Sequence, residues 1–98
     1  MIDRPDEYCR MFAAETQLWW YRHLHELVLE RIRNRFGTAT NLAILDVGCG
    51  TGGLLHRLRE AGYTQLQGLD GSSEAVAFCR RRGLAVQQLD LQIGRAHV

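Results

Sequence analysis

From Leu42 onward, short apolar runs alternate with amphipathic stretches, and most junctions carry glycine or a small polar residue. Leu42–Val47 is apolar at both parities, as a parallel strand buried on both faces should be. Gly53–Ala61 reads as a helix that turns Leu54, Leu55 and Leu58 inward and ends at Gly62. Thr64–Asp70 reads as a second, less apolar strand. Ser72 or Ser73 can cap a third helix over Glu74–Arg82. Glu74 suits the positive end of that helix, and Arg80, Arg81 and Arg82 suit its negative end. Gly83 closes it, and Leu84–Asp90 reads as a third strand. The order β-α-β-α-β implies right-handed crossovers and an α/β, doubly wound parallel sheet.

The N-terminal third has helical rather than strand periodicity. Asp6–Ala14 can form a short helix, and Thr16 can cap a longer one that runs to about Phe36. Trp20, Leu24, Leu27, Val28 and Ile32 fall on one stripe, while Glu26, Glu30, Arg33 and Arg35 face elsewhere. Gly37 is a natural stop, and Thr38–Asn41 is a polar connector. The chain therefore divides into an N-terminal helical segment, residues 1–37, and a strand-containing segment, residues 38–92.

Composition narrows the class. The 98 residues are 46% hydrophobic and 23% charged, with ten Gly and one Pro, as in an ordinary globular chain of one domain or less. A net charge of +1 gives no electrostatic case for a nucleic acid or membrane partner. The acidic, polar start has no apolar region of a secretory signal, and no apolar run approaches the ~18 residues of a spanning helix. Cys9, Cys49 and Cys79 are widely spaced and odd in number, which fits free thiols in a reducing cytoplasm. His23 and His25 point to different helix faces, so no metal site is expected. No Ser-His-Asp or Cys-His motif is found.

The chemistry lies where the first strand runs into Gly48-Cys49-Gly50-Thr51-Gly52-Gly53. Gly48, Gly50 and Gly53 fit G-x-G-x-x-G, a dinucleotide fingerprint. Asp46, Gly48, Gly50 and Gly52 also fit D-x-G-x-G-x-G. Charge separates the two. A dinucleotide places a pyrophosphate over the loop, and a carboxylate at Asp46 repels it. S-adenosylmethionine places an ammonium and a sulfonium there, which a carboxylate attracts, while loop N–H groups can take the ligand carboxylate. The run LDVGCGTGG resembles motif I of the class I S-adenosylmethionine-dependent methyltransferases, which implies a Rossmann-like sheet preceded by helices.

The resemblance covers roughly Leu42–Leu91. It implies that Asp70, about 20 residues past the loop, binds the ribose hydroxyls, with Gly71 beside it. It implies that Asp90 contacts the adenine amino group and that Leu91 offers its backbone N–H to the ring. Asp46, Gly48, Cys49, Gly50 and Gly52 complete the cofactor contacts, Cys49 through its backbone. Each acid has a plainer alternative: Asp46 as a support of the strand–loop geometry, Asp70 as a turn or capping residue, Asp90 as a solvated strand end. Aromatic N-terminal helices in this family cover the cofactor, so Trp19, Trp20 and Tyr21 are either a lid or helix packing.

The last six residues, Ile93–Val98, match the translation of a sequencing adapter, ATC GGA AGA GCA CAC GTC, whose next codon is a stop. They are read as a non-native tail, residues 93–98. The family resemblance implies seven strands in the order 3-2-1-4-5-7-6, of which only 3, 2 and 1 fall within this chain. Strand one would then be an open apolar edge, and the 98-residue chain marginal, aggregation-prone and a poor cofactor binder. The function expected is methyl transfer to an acceptor that the sequence does not name. Residues orienting that acceptor, and any general base, would lie past strand four, so no catalytic residue is assigned. Two alternatives stand beside it: a fragment of an NAD(P)- or flavin-dependent oxidoreductase, which leaves Asp46 unexplained, and a non-catalytic binding module.

Overall fold

The computed structural model describes residues 5–89, with side chains from Gln17 onward. Asp90, Leu91 and the adapter-like Ile93–Val98 lie outside the described residues. The chain forms two compact units that divide between Arg35 and Phe36. Each is described by itself.

The first unit is one helix, α1, Pro5–Phe36. The two helices expected from the sequence are therefore continuous, and Thr16 lies inside the helix instead of capping it. No Gly or Pro interrupts Asp6–Phe36. A cap at Thr16 would contribute about 1 kcal/mol, less than the run of backbone bonds that a break would cost. Pro5 suits the first helical position, where its missing N–H has no partner to lose. None of the expected apolar stripe is buried: Trp20, Leu27 and Val28 are exposed, and Leu24 and Ile32 are half-buried. Trp19 and Tyr21, beside that stripe, are 65% and 47% exposed. Among the described side chains of α1, Leu29, outside the stripe, is buried. His23 stacks on Trp19, with ring centroids 5.7 Å apart and planes within 2°, and lies 6.1 Å from Trp20.

The second unit is a three-stranded sheet with two helices. Strands β1 (Ala43–Val47), β2 (Gln65–Asp70) and β3 (Val86–Gln88) stand in the order β1-β2-β3, all parallel. Ala43 pairs with Gln65 and Val47 with Leu69, and Gly68 pairs with Val86. Helices α2 (Gly53–Glu60) and α3 (Ser73–Arg81) make the crossovers. The third strand is shorter than the expected Leu84–Asp90. The Leu84 N–H is taken by the Cys79 carbonyl at 3.0 Å, so Leu84 closes the turn after α3 and stays out of the ladder. The Leu89 N–H still reaches the Asp70 carbonyl at 2.9 Å past the end of β3.

Both helices pack on one face of the sheet, because the strands progress in one direction and both crossovers share a hand. One core forms there from Cys49, Leu55, Val76, Cys79, Leu84 and Val86, with Leu66 against it. Gly68 makes the close approach possible: a Cβ there would come within 2.8 Å of both the Cys49 sulfur and Leu55. On the other face Leu45 and Val47 are 54% and 61% exposed, so among the described residues β1 is not buried on both faces as its composition suggests. It is an edge strand, and α2 and α3 cover one side only. This is a partial Rossmann-like α/β sheet.

Candidate functional site

The site lies at the carboxyl ends of β1 and β2, where open parallel sheets place ligands. Parallel register brings Val47 beside Leu69, so the loop after β1 starts next to the end of β2. The N–H groups of Gly48 and Cys49 both donate to the Leu69 carbonyl, at 2.7 and 3.0 Å. These bonds anchor the loop to its neighbour strand.

Two of the loop glycines have different duties. Gly50 has φ +56°, and a Cβ built on it would meet nothing within 4 Å. Its glycine is required by backbone conformation and leaves the loop top clear for a ligand. Gly52 has φ +84° and is buried, and a Cβ there would run into Leu84 and come 3.0 Å from the Cys79 sulfur. Gly52 thus lets the loop sit down on the core. It is also the N-cap of α2, where no side chain caps the helix and the first turn carries no acid. The leading N–H groups of α2 keep their positive potential, which favours an anionic group such as a carboxylate.

Asp70 ties the loop to α3. Its Oδ2 accepts from the Gly50 N–H at 2.8 Å, and its Oδ1 accepts from the Ser72 N–H at 2.9 Å. The Ser72 N–H, then the Gly50 N–H, hold the Asp70 carboxyl below its usual range, against a smaller opposing effect of burial. Ser72, expected as one of two possible caps, is the N-cap of α3, and its hydroxyl accepts from the Ala75 N–H at 3.2 Å. Gly71 lies against β3: its carbonyl accepts from the Gln88 amide at 3.3 Å, and a Cβ would stand 3.3 Å from the Leu89 carbonyl.

Asp46, half-buried near the end of β1, and Asp70 both act on Cys49. Burial, then the neighbouring Cys79, and then these two carboxylates push the Cys49 thiol up to about 11. The thiol stays protonated at neutral pH and is no nucleophile. The mouth of the loop is thus acidic on the strand side and positive at the helix side. That arrangement offers partners to a group bearing both a cation and a carboxylate. Each Asp70 oxygen retains acceptor capacity beyond the backbone bond it makes, enough for ribose hydroxyls. A zwitterionic adenosyl cofactor fits these residues.

Two residues that the sequence does not place at the loop hold it as well. The Cys79 thiol donates to the Gly50 carbonyl at 3.1 Å, and Arg82 donates through Nη1 to the Thr51 carbonyl at 2.9 Å. The sequence placed Arg82 at the negative end of its own helix. In the structure Arg59 of α2 serves that end, donating to the Arg82 and Gly83 carbonyls at 3.1 and 3.3 Å. The signal available for Cys79 was its spacing of three from Val76, which puts both on the inner face of α3. Among the described residues, no three His, Cys, Asp or Glu side chains gather as metal ligands.

No curated protein sequence matches the chain. Among solved structures it is similar to an S-adenosylmethionine dependent methyltransferase from Mesorhizobium loti, at 28% sequence identity and a TM-score of 0.52. The match covers 64% of this chain and 31% of that one, so this chain spans about a third of the length of the enzyme it resembles. The glycine loop after β1, the acid ending β2 and the parallel order of the sheet make the fold class I methyltransferase-like. The model of the family described as methionine biosynthesis protein MetW matches residues 22–98, and the chain belongs to that family.

Proposed function

We propose that this chain carries the cofactor-binding part of an S-adenosylmethionine-dependent methyltransferase. The observation that carries the reading is the pairing of an open-topped glycine loop with Asp70, whose carboxylate is held ionised by the Gly50 and Ser72 N–H groups. In this reading Asp70 accepts the ribose hydroxyls, Gly48 and Gly50 allow close approach, and Asp46 faces the cationic end of the amino-acid moiety. Cys49 and Gly52 shape the loop, with Gly71 beside the ribose, and Asp90 and Leu91 meet the adenine. The bound cofactor supplies an electrophilic methyl group on sulfonium. The chain's own contribution is to hold that group in line for an acceptor, and positioning of this kind can contribute about 7–11 kcal/mol. The similarity to the solved methyltransferase supports the class of reaction.

The net charge of +1 calls for neither a nucleic acid nor a membrane as partner, and among the described residues no helix is long and apolar enough to cross a membrane. Free Cys49 and Cys79 fit a reducing compartment such as the cytoplasm.

The test is methyl transfer by a full-length relative that retains Leu42–Leu91, supplied with methyl-labelled S-adenosylmethionine and a soluble metabolite extract. Labelled product, lost on Asp70→Ala, is the expected result. Hydride transfer with a nicotinamide cofactor and no labelled product would overturn the reading.

A further inference from the structure

The contacts from α3 to the glycine loop come from a different part of the chain than the motif itself. Cys79 lies 29 residues from Gly50, and Arg82 lies 31 residues from Thr51. They take two successive carbonyls of the loop, Gly50 and Thr51. A peptide is planar and trans, so a carbonyl fixed in one direction fixes the next N–H in the opposite one. Pinning the Gly50 carbonyl toward α3 turns the Thr51 N–H away from α3. Among the described residues that N–H donates to no backbone carbonyl, and Thr51 is exposed. The preceding peptide, Cys49–Gly50, is held by Asp70 through the 2.8 Å bond from the Gly50 N–H.

We infer that Cys79 and Arg82 are positioning residues of the cofactor site: α3 and its C-cap residue clamp the Gly50 and Thr51 carbonyls and so present the Thr51 N–H to the ligand. The inference rests on the cofactor-site reading for its meaning, although the clamp itself is measurable without ligand. Cys79 suits the role because its side chain is fully buried, so its weak S–H donor meets no competition from water. Arg82 adds a charged donor at the rim of the loop, with its guanidinium 5.7 Å from the Phe78 ring centroid. Sequence spacing marks Cys79 as inward-facing on α3 but does not reveal either loop contact, because the two contacts join residues on separate crossovers.

The experiment is amide hydrogen exchange on the whole 98-residue chain, read residue by residue. The Gly50 and Gly52 amides report the loop, since they donate to Asp70 and to the Cys49 carbonyl. The Gly68 amide, bonded to the Ala85 carbonyl at 2.9 Å, reports the sheet. Cys79→Ala should speed exchange of Gly50 and Gly52 by about two- to tenfold, the span expected for one net hydrogen bond, with Gly68 unchanged. Cys79→Ser keeps a donor and should restore the wild-type rates. Arg82→Ala leaves the core intact and should speed the same two amides. The inference is overturned if all three variants leave Gly50 and Gly52 at wild-type rates, if Gly68 accelerates as much as the loop, or if Cys79→Ser behaves as Cys79→Ala. As no ligand enters, failure here is distinct from a failure of the cofactor-site reading.

Discussion

Asp70 holds two backbone N–H groups from two different loops, one on each carboxylate oxygen. An ionised carboxylate accepts two such bonds more strongly than the protonated acid can, and its folded pKa falls below the reference value of 3.8 accordingly. The sign follows directly. The folded-state pKa is depressed, so the stability contributed is present above the unfolded value and is lost as pH falls through the folded one. Asp70→Asn should therefore lower stability at pH 7 by about 1 kcal/mol, the scale of a net hydrogen bond. The gap between variant and wild type should close as pH falls from 3.8 downward. Urea unfolding at a series of pH values checks this; a gap that is constant with pH would mean that the carboxylate charge is not what holds the loop. Asp70 also shows how two readings of one residue can hold together. It is a turn residue, bonding the N–H two positions on, and its remaining lone pairs stay free for hydroxyl donors.

At the scale of the elements, the loop between β1 and α2 is seated by packing as much as by backbone conformation. Gly52 and Gly50 separate the two causes. Both have positive φ, so alanine at either costs roughly 1–2 kcal/mol of backbone strain. At Gly52 the new methyl also meets Cys79 of α3 and Leu84 of the α3–β3 turn, adding roughly 1–3 kcal/mol of overpacking. Gly52→Ala should thus have the lower urea midpoint of the two; equal midpoints would show that α3 does not press on the loop.

Much of this layout was legible in the sequence. The glycine run, Asp70 and a serine cap at Ser72 or Ser73 mark a strand–loop–helix pattern at their spacings, and β1, α2, β2 and α3 fall within a residue or two of where the pattern puts them. What was not legible depends on contacts between elements. Cys79 and Arg82 reach the loop only because the crossovers bring α3 beside it. Leu84 looked like strand and became a core plug at the turn. Thr16 looked like a cap, yet the helix runs through it because nothing around it breaks a helix.

At the scale of the molecule, α2 and α3 cover one face of the described strands, and β1 is an edge among them. Its unpaired backbone N–H and C=O groups, with Leu45 and Val47 exposed beside them, are a template for pairing with another chain. The apolar composition of β1 is that of a strand meant for neighbours on both sides, and α2 and α3 supply only one of them. The glycine loop is held by bonds from β2, from α3 and its C-cap, and from within the loop. The central claim is that Asp46 and Asp70 turn this loop from pyrophosphate toward a zwitterionic adenosyl cofactor. The most direct measurement is calorimetric titration of a full-length relative retaining Leu42–Leu91 with S-adenosylhomocysteine and, separately, with NAD, repeated on Asp46→Asn. The account predicts binding of S-adenosylhomocysteine, none of NAD, and weaker S-adenosylhomocysteine binding in the variant by about tenfold, the worth of one charge-assisted contact. Tighter binding of NAD, or an Asp46→Asn variant that binds S-adenosylhomocysteine as well as wild type, would contradict it.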